Sequence, residues 1–130
     1  MSRALNDLDE LFRPLAIELL ARLTEAKIPV LIVDTLRTQA EHEINLANGT
    51  SWTNHSKHLD GLAIDVVPYD EYKLNGPDKL QWNNDAPVWQ VIGKIGKSLG
   101  LRWGGDWQKK DMGHFEMVDE LLFVLLEKMI

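Results

Sequence analysis

Two short stretches of the chain hold residues with the chemistry to bind a metal ion and cut a bond. The first is Ser56-Lys57-His58-Leu59-Asp60-Gly61-Leu62-Ala63-Ile64-Asp65, and the second, further along, is Asp111-Met112-Gly113-His114-Phe115-Glu116. His58, Asp65 and His114 supply two imidazoles and a carboxylate. That donor set suits zinc, and three protein ligands leave the fourth position open to water and substrate. Asp111, three residues before His114, is a further acid near the ligand without being one. It is the candidate general base, placed to take a proton from an activated water and hand it to a leaving amine. An aspartate in a turn before a strand is its structural alternative. Together the residues describe the active site of a small metal-dependent hydrolase.

Strand alternation gives these residues a reason to converge. On 61–67, Leu62, Ile64 and Val66 fall on one face and suit a core, whereas Gly61, Ala63 and Asp65 fall on the other. Small neighbours therefore leave room beside Asp65 for a metal and a peptide. On 114–118, Phe115 and Met117 face the core, and His114 and Glu116 face the opposite way. Two strands then offer one ligand each to a common face, and His58 arrives from the preceding loop. The alternative is a set of surface residues on a half-wet sheet.

Other candidates surround this set. Arg37, after an apolar run, is suited to hold a substrate carbonyl or carboxylate and to stabilise an oxyanion, or is a surface residue at a helix start. Ser56 and Gln39 are candidate hydrogen-bonding groups for substrate, Ser56 with its own loop backbone as the other option. In Trp103-Gly104-Gly105-Asp106-Trp107, Trp107 is a candidate wall of the substrate groove, and Trp103 is equally suited to the core. Glu116 is a candidate partner that orients a ligand imidazole. His55 is the rival ligand to His58, which is preferred for its fixed register to Gly61 and Asp65. His42, between Glu41 and Glu43, reads as a solvated surface residue.

Composition narrows the class. The chain has no cysteine, which removes disulfides, thiolate metal sites and a cysteine nucleophile. A net charge of −6 argues against a nucleic-acid surface, because phosphate binding needs a basic patch. No apolar run approaches the roughly 20 residues of a membrane span, and Glu18 and Arg22 interrupt the apolar stretch that would have to serve as a secretory signal. At 130 residues the expectation is a single domain over 1–130 and a monomer.

The elements that must position the site follow from periodicity and punctuation. Apolar residues at 3–4 spacing predict an amphipathic helix over 5–26, kinked or divided at Pro14. A buried strand is expected at 30–33, ending near Asp34-Thr35, and a helix from a Thr38 cap to Ala47. Residues 50–60 read as loop, 62–67 as a strand stopped by Pro68, and 69–84 as irregular. Asp85 is expected to cap a helix to about Leu99, ended by Gly100. A short strand at 101–103, a tight turn at Gly104-Gly105, a strand at 114–118 and a helix capped by Asp119 complete the chain. The fold class is α+β, with a small, mostly antiparallel sheet flanked by helices.

The combined pattern Ser56-x-His58-x-x-Gly61-x-Ala63-x-Asp65, Trp103-Gly104-Gly105-Asp106-Trp107 and Asp111-x-x-His114-Phe115-Glu116 resembles the zinc peptidases of the VanY-like D-Ala-D-Ala carboxypeptidase and L-alanyl-D-glutamate endopeptidase group, which includes many phage endolysins. The resemblance runs from about Val30 to Val118. It implies the small sheet shared with the Hedgehog signalling domain, with zinc on His58, Asp65 and His114, Asp111 as base and Arg37 as the arginine that stabilises substrate and transition state. Asp rather than Glu at position 111 looks more like the endopeptidase branch than the dipeptidases. A short chain leaves little to roof the site, which suits a polymeric substrate.

The function so implied is a zinc-dependent endopeptidase of peptidoglycan stem peptides, at the L-Ala–D-Glu bond, serving phage or prophage lysis. Without a signal peptide or wall-binding module, such a lysin would be made in the cytoplasm and reach the wall after membrane permeabilisation. A bacterial enzyme recycling wall fragments would look the same at this level. The alternatives are a D-alanyl-D-alanine carboxypeptidase and a non-catalytic zinc-containing binding module.

Overall fold

The computed structural model describes residues 2–36, 47, 57–70 and 80–128. Among these, four strands form one antiparallel sheet in the order β1-β2-β4-β3: β1 (Val30–Asp34), β2 (Ala63–Pro68), β3 (Arg102–Trp103) and β4 (His114–Glu116). Among the described residues three α-helices with defined bounds accompany it, α1 (Arg13–Glu25), α2 (Val88–Ser98) and α3 (Asp119–Lys128). The α+β class expected from the sequence is the architecture found.

Helix α1 buries Ala16, Leu19 and Leu23, an i, i+3, i+7 stripe. It starts later than periodicity predicts. Pro14 lies in its first turn, where the missing N–H would have had no partner, so it neither kinks nor divides the helix. Residues 5–7 form a separate 3-10 turn instead. The segment around that turn still carries core residues, since Leu8 and Phe12 are buried. It is also bonded to the sheet end: Thr35 N–H donates to the Ser2 carbonyl (2.8 Å), and Asp9 N–H to that of Gly61 (3.0 Å).

Helix α2 buries Trp89, Ile92, Gly93 and Gly96. A Cβ at Gly96 would meet the Phe115 ring at 2.2 Å, and one at Gly93 the Trp103 indole at 2.5 Å, so these glycines let the helix lie directly on β3 and β4. Asp85 does not cap it. Pro87 occupies the cap position with φ −58°, and the residue before a proline is driven out of helical geometry, which moves the start to Val88. Asp119 opens α3 as its first residue, and its carboxylate accepts a hydrogen bond from the Lys57 ammonium. That contact ties α3 to the 3-10 turn Lys57–Asp60.

The half-wet sheet weighed as the alternative is not what β2 belongs to. Ala63 is as fully buried as Ile64, and Val66 and Val67 are both buried, so the strand is covered on both sides. The N-terminal segment docked against Gly61 and Thr35 is part of that cover. In the region read as irregular, Tyr69 and Leu80 form an isolated bridge. Of the helix expected over 38–47 only Ala47 is described, and it is helical.

Candidate metal centre and active site

Register assembles the centre. Asp65 on β2 lies directly opposite His114 on β4, so their side chains share a face as a cross-strand pair. On the other side of β2, Asp34 stands opposite Asp65, after a register shift between Ile32 and Asp34. His58 comes from the 3-10 turn, two positions before the turn ends at Asp60. Gly61 makes the reversal into β2 with φ +71°, a conformation only glycine adopts without strain, and a Cβ there would sit 2.8 Å from the Asp9 nitrogen.

His58, Asp65 and His114 each present one ligand atom, all within 4.8 Å of one another. The Asp65 carboxylate lies between the rings, Oδ1 at 2.9 Å from His114 Nδ1 and Oδ2 at 3.2 Å from His58 Nε2. The rings meet edge to face with centroids 5.1 Å apart. These side chains are suited to hold a metal ion.

The outer partners of each ring fit that role. His58 Nδ1 is 2.8 Å from the Thr35 carbonyl oxygen, an acceptor only, so Nδ1 carries the proton and donates it. That leaves the Nε2 lone pair on the Asp65 side. His114 Nε2 is 2.7 Å from Glu116 Oε1 and donates to it, which leaves Nδ1 facing Asp65. Each imidazole thus has its far nitrogen fixed by an acceptor and its near nitrogen turned to the common centre, the usual arrangement behind ligand histidines. Glu116 is buried and also receives a longer contact from Arg102 Nη1 (3.4 Å).

Electrostatics follow the same geometry. Burial alone would raise the Asp65 carboxyl, but the hydrogen bond from His114 and the closeness of the His58 ring overcome it and hold the group far below the ordinary carboxylate range. Burial opposes a charged His114, yet hydrogen bonds to Asp65 and Glu116 raise it to about 10. In the metal-free protein His114 is therefore an imidazolium clasped between two carboxylates. A metal ion held there would have to displace the Nδ1 proton.

Asp111 sits at the rim of this centre. Its Oδ2 is 3.9 Å from His114 Nδ1 and its side chain is 40% exposed, so it is near enough to reach a bound water and open enough to exchange protons. Gly113 allows the chain to pass: its carbonyl accepts from Val66 N–H (3.0 Å), and a Cβ there would lie 2.1 Å from the Val66 carbonyl oxygen. Trp107, half-buried, leans on His114 with ring centroids 5.0 Å apart. Trp103 is a core residue whose indole N–H donates to the Met112 carbonyl (2.7 Å). Arg37, Gln39, Ser56, His42 and His55 lie outside the described residues.

Asp34 is a residue to which sequence reading assigned no role. It is buried, with Oδ2 4.0 Å from His58 Nδ1, in the row Asp34, Asp65, His114 that crosses three strands. An acid at the end of an apolar strand was the signal for it.

An antiparallel α+β sheet presenting a His-Asp-His centre, with a partly exposed acid at its rim, defines a metallohydrolase type of site. The sequence profile of the family described as D-alanyl-D-alanine carboxypeptidase, of the M15 peptidases, matches residues 49–117, and the chain belongs to that family. It is 40% identical to the L-alanyl-D-glutamate peptidase of Escherichia phage T5, over 66% of this chain and 64% of that protein. It is 39% identical to the L-alanyl-D-glutamate peptidase of Listeria phage A118, over 62% of this chain and 27% of that one. The peptidoglycan L-alanyl-D-glutamate endopeptidase CwlK of Bacillus subtilis (strain 168) is 33% identical over 63% of this chain and 48% of its own. The match thus spans less than two thirds of each of these relatives. Among solved structures, the Serratia marcescens L-Ala D-Glu endopeptidase ChiX superimposes with a TM-score of 0.63 and 25% identity, covering 89% of this chain and 84% of that one. The family expected from the motifs is the family found.

Proposed function

We propose that this chain is a zinc-dependent peptidoglycan endopeptidase that hydrolyses the L-Ala–D-Glu bond of stem peptides, with 1–130 acting as one peptidase domain and as a monomer. The observation that carries the reading is the convergence of the His58, Asp65 and His114 ligand atoms within 4.8 Å, with Asp111 3.9 Å from the ligand nitrogen of His114. Two imidazole nitrogens and a carboxylate oxygen match zinc. The bond is suggested by relatives that bear the name of L-alanyl-D-glutamate peptidases.

When bound, the zinc would polarise the scissile carbonyl and acidify its water. Asp111 takes the proton from the attacking water and returns it to the leaving amine, so one carboxylate serves as base and then acid. Thr35 and Glu116 hold the two imidazoles in the tautomers that face the centre. Trp107 covers one face of His114 and forms a wall beside it. Arg37, with Ser56 and Gln39, is assigned to positioning the substrate carbonyl on the strength of the motif alone. Phage or prophage lysis, with action at the wall after membrane permeabilisation, is the biological setting this reading favours. No described helix is long and apolar enough to cross a membrane.

The second reading is a D-alanyl-D-alanine carboxypeptidase, favoured by the description of the matching family. Digestion of purified peptidoglycan by the zinc-loaded protein, followed by mass spectrometry, separates the two. New D-Glu amino termini support the endopeptidase, and release of free D-Ala supports the carboxypeptidase. Asp111→Asn should lower the rate by about 10²- to 10⁴-fold while zinc stays bound. Activity that survives thorough chelation, or near-normal activity of Asp111→Asn, would sink the mechanism.

A further inference from the structure

Beside the metal centre the surface opens into a cleft of about 150 Å³ whose lining includes Asp65 and Asp111 from the centre and, away from it, Lys110, Asn84, Trp82 and Trp89. No step of the mechanism uses the last four. Lys110 is the one cation among the described lining residues. Its ammonium donates to the Gly105 carbonyl at 3.2 Å, which holds it beside the turn with two N–H groups to spare. Trp82 is 58% exposed, a large aromatic surface left in water next to an active site. Trp89 is buried, and its indole N–H has no acceptor among the described residues.

Asp111 fixes which part of a substrate this cleft receives. The carboxylate that returns the proton must lie beside the leaving amine, so the residue that contributes the amine occupies the space next to Asp111. That space is the cleft. We infer that the cleft is the specificity subsite for the residue on the amine side of the cut bond, that it selects an acidic residue, and that Lys110 pairs with its free carboxylate while Trp82 packs on its carbon chain. The inference rests on the endopeptidase reading: glutamate has two carboxyl groups, one is consumed when the peptide continues, and the other stays free as an anion. Asn84 adds a neutral amide to the same lining.

The test uses two synthetic stem peptides that differ only in whether the residue after L-Ala is D-Glu with a free carboxylate or its amide, D-Gln. Zinc-loaded wild type should cleave the acid with kcat/KM about tenfold above the amide, the scale of one partly exposed charge-assisted contact. Lys110→Ala should bring the acid-to-amide ratio to about one, with the loss in KM, and Lys110→Glu should invert it. A wild-type ratio near one, or a Lys110→Ala variant that keeps the wild-type ratio, overturns the subsite. If neither peptide is cleaved, the endopeptidase reading fails and the subsite is decided by binding. A D-glutamyl dipeptide with a free amine should shift the Trp82 and Trp89 indole NMR signals of the zinc-loaded wild type, and Lys110→Glu should abolish the shift. Absence of that shift in wild type overturns it.

Discussion

Glu116 lies 2.7 Å from His114 Nε2 and is 8% exposed, so the hydrogen bond between them is made out of water and between charged partners. Its removal acts on metal binding in two opposing ways. Glu116→Ala leaves a buried N–H without an acceptor and a ligand ring free to turn, and the loss of such an outer partner costs about 10- to 100-fold in metal affinity. The same carboxylate, however, helps to raise His114 to about 10, so its loss also weakens the proton that zinc must displace. The first effect should win, because ring orientation is lost at every pH, but the second brings the net deficit at neutral pH to about tenfold. Glu116→Gln keeps an acceptor and loses the charge, and a neutral hydrogen bond is roughly half as strong, so its deficit should be about threefold. Arg102 is half-exposed and 3.4 Å from Glu116, so Arg102→Ala should change affinity by less than about twofold. Competition against a fluorescent zinc chelator reads all three. Binding by Glu116→Ala equal to or tighter than wild type would refute the argument that this carboxylate holds the ligand ring.

The metal-free protein should show a pH window of stability set by the same groups. His114, raised from 6.5 to about 10, stabilises the fold fully below pH 6.5 and loses that contribution as pH rises through 10, whereas Asp65, held below 3.8, stabilises above that pH and loses its contribution on further acidification. Melting temperature after chelation should therefore be highest between pH 3.8 and 6.5 and fall towards pH 10, with the alkaline fall absent in His114→Gln; a flat profile in the wild type contradicts it. Gly113→Ala would force a Cβ to 2.1 Å from a backbone oxygen of β2, a contact no rotamer relieves. A loss of about 3 kcal/mol, at the upper end for overpacking, should appear as a fall of roughly 10 °C in melting temperature. A fall of under about 2 °C would mean that β2 and β4 can separate at no great cost.

The part of the site legible in the sequence is the part carried by local rules. Alternation along 61–67 and 114–118 placed Asp65 and His114 on matching faces, and the register that sets them opposite each other uses that same alternation. An acid at the end of an apolar strand marked Asp34 as unusual, but its place in the row was not legible, because that depends on a register shift in β1 that no local pattern announces. The errors at helix starts share one cause. Pro14 and Pro87 were weighed as breaks or ignored, whereas both stand at the start of a helix, where a fixed φ and a missing N–H cost nothing. The burial of β2 on both faces was hidden for a different reason. Its cover includes a segment around Asp9 that is distant in sequence and was read as helix, although the hydrogen bond to the Gly61 carbonyl requires it to meet the chain just where His58 turns into β2. That contact makes the N-terminal segment part of the metal centre's scaffold: it stands behind the glycine that sets the angle between the turn carrying His58 and the strand carrying Asp65.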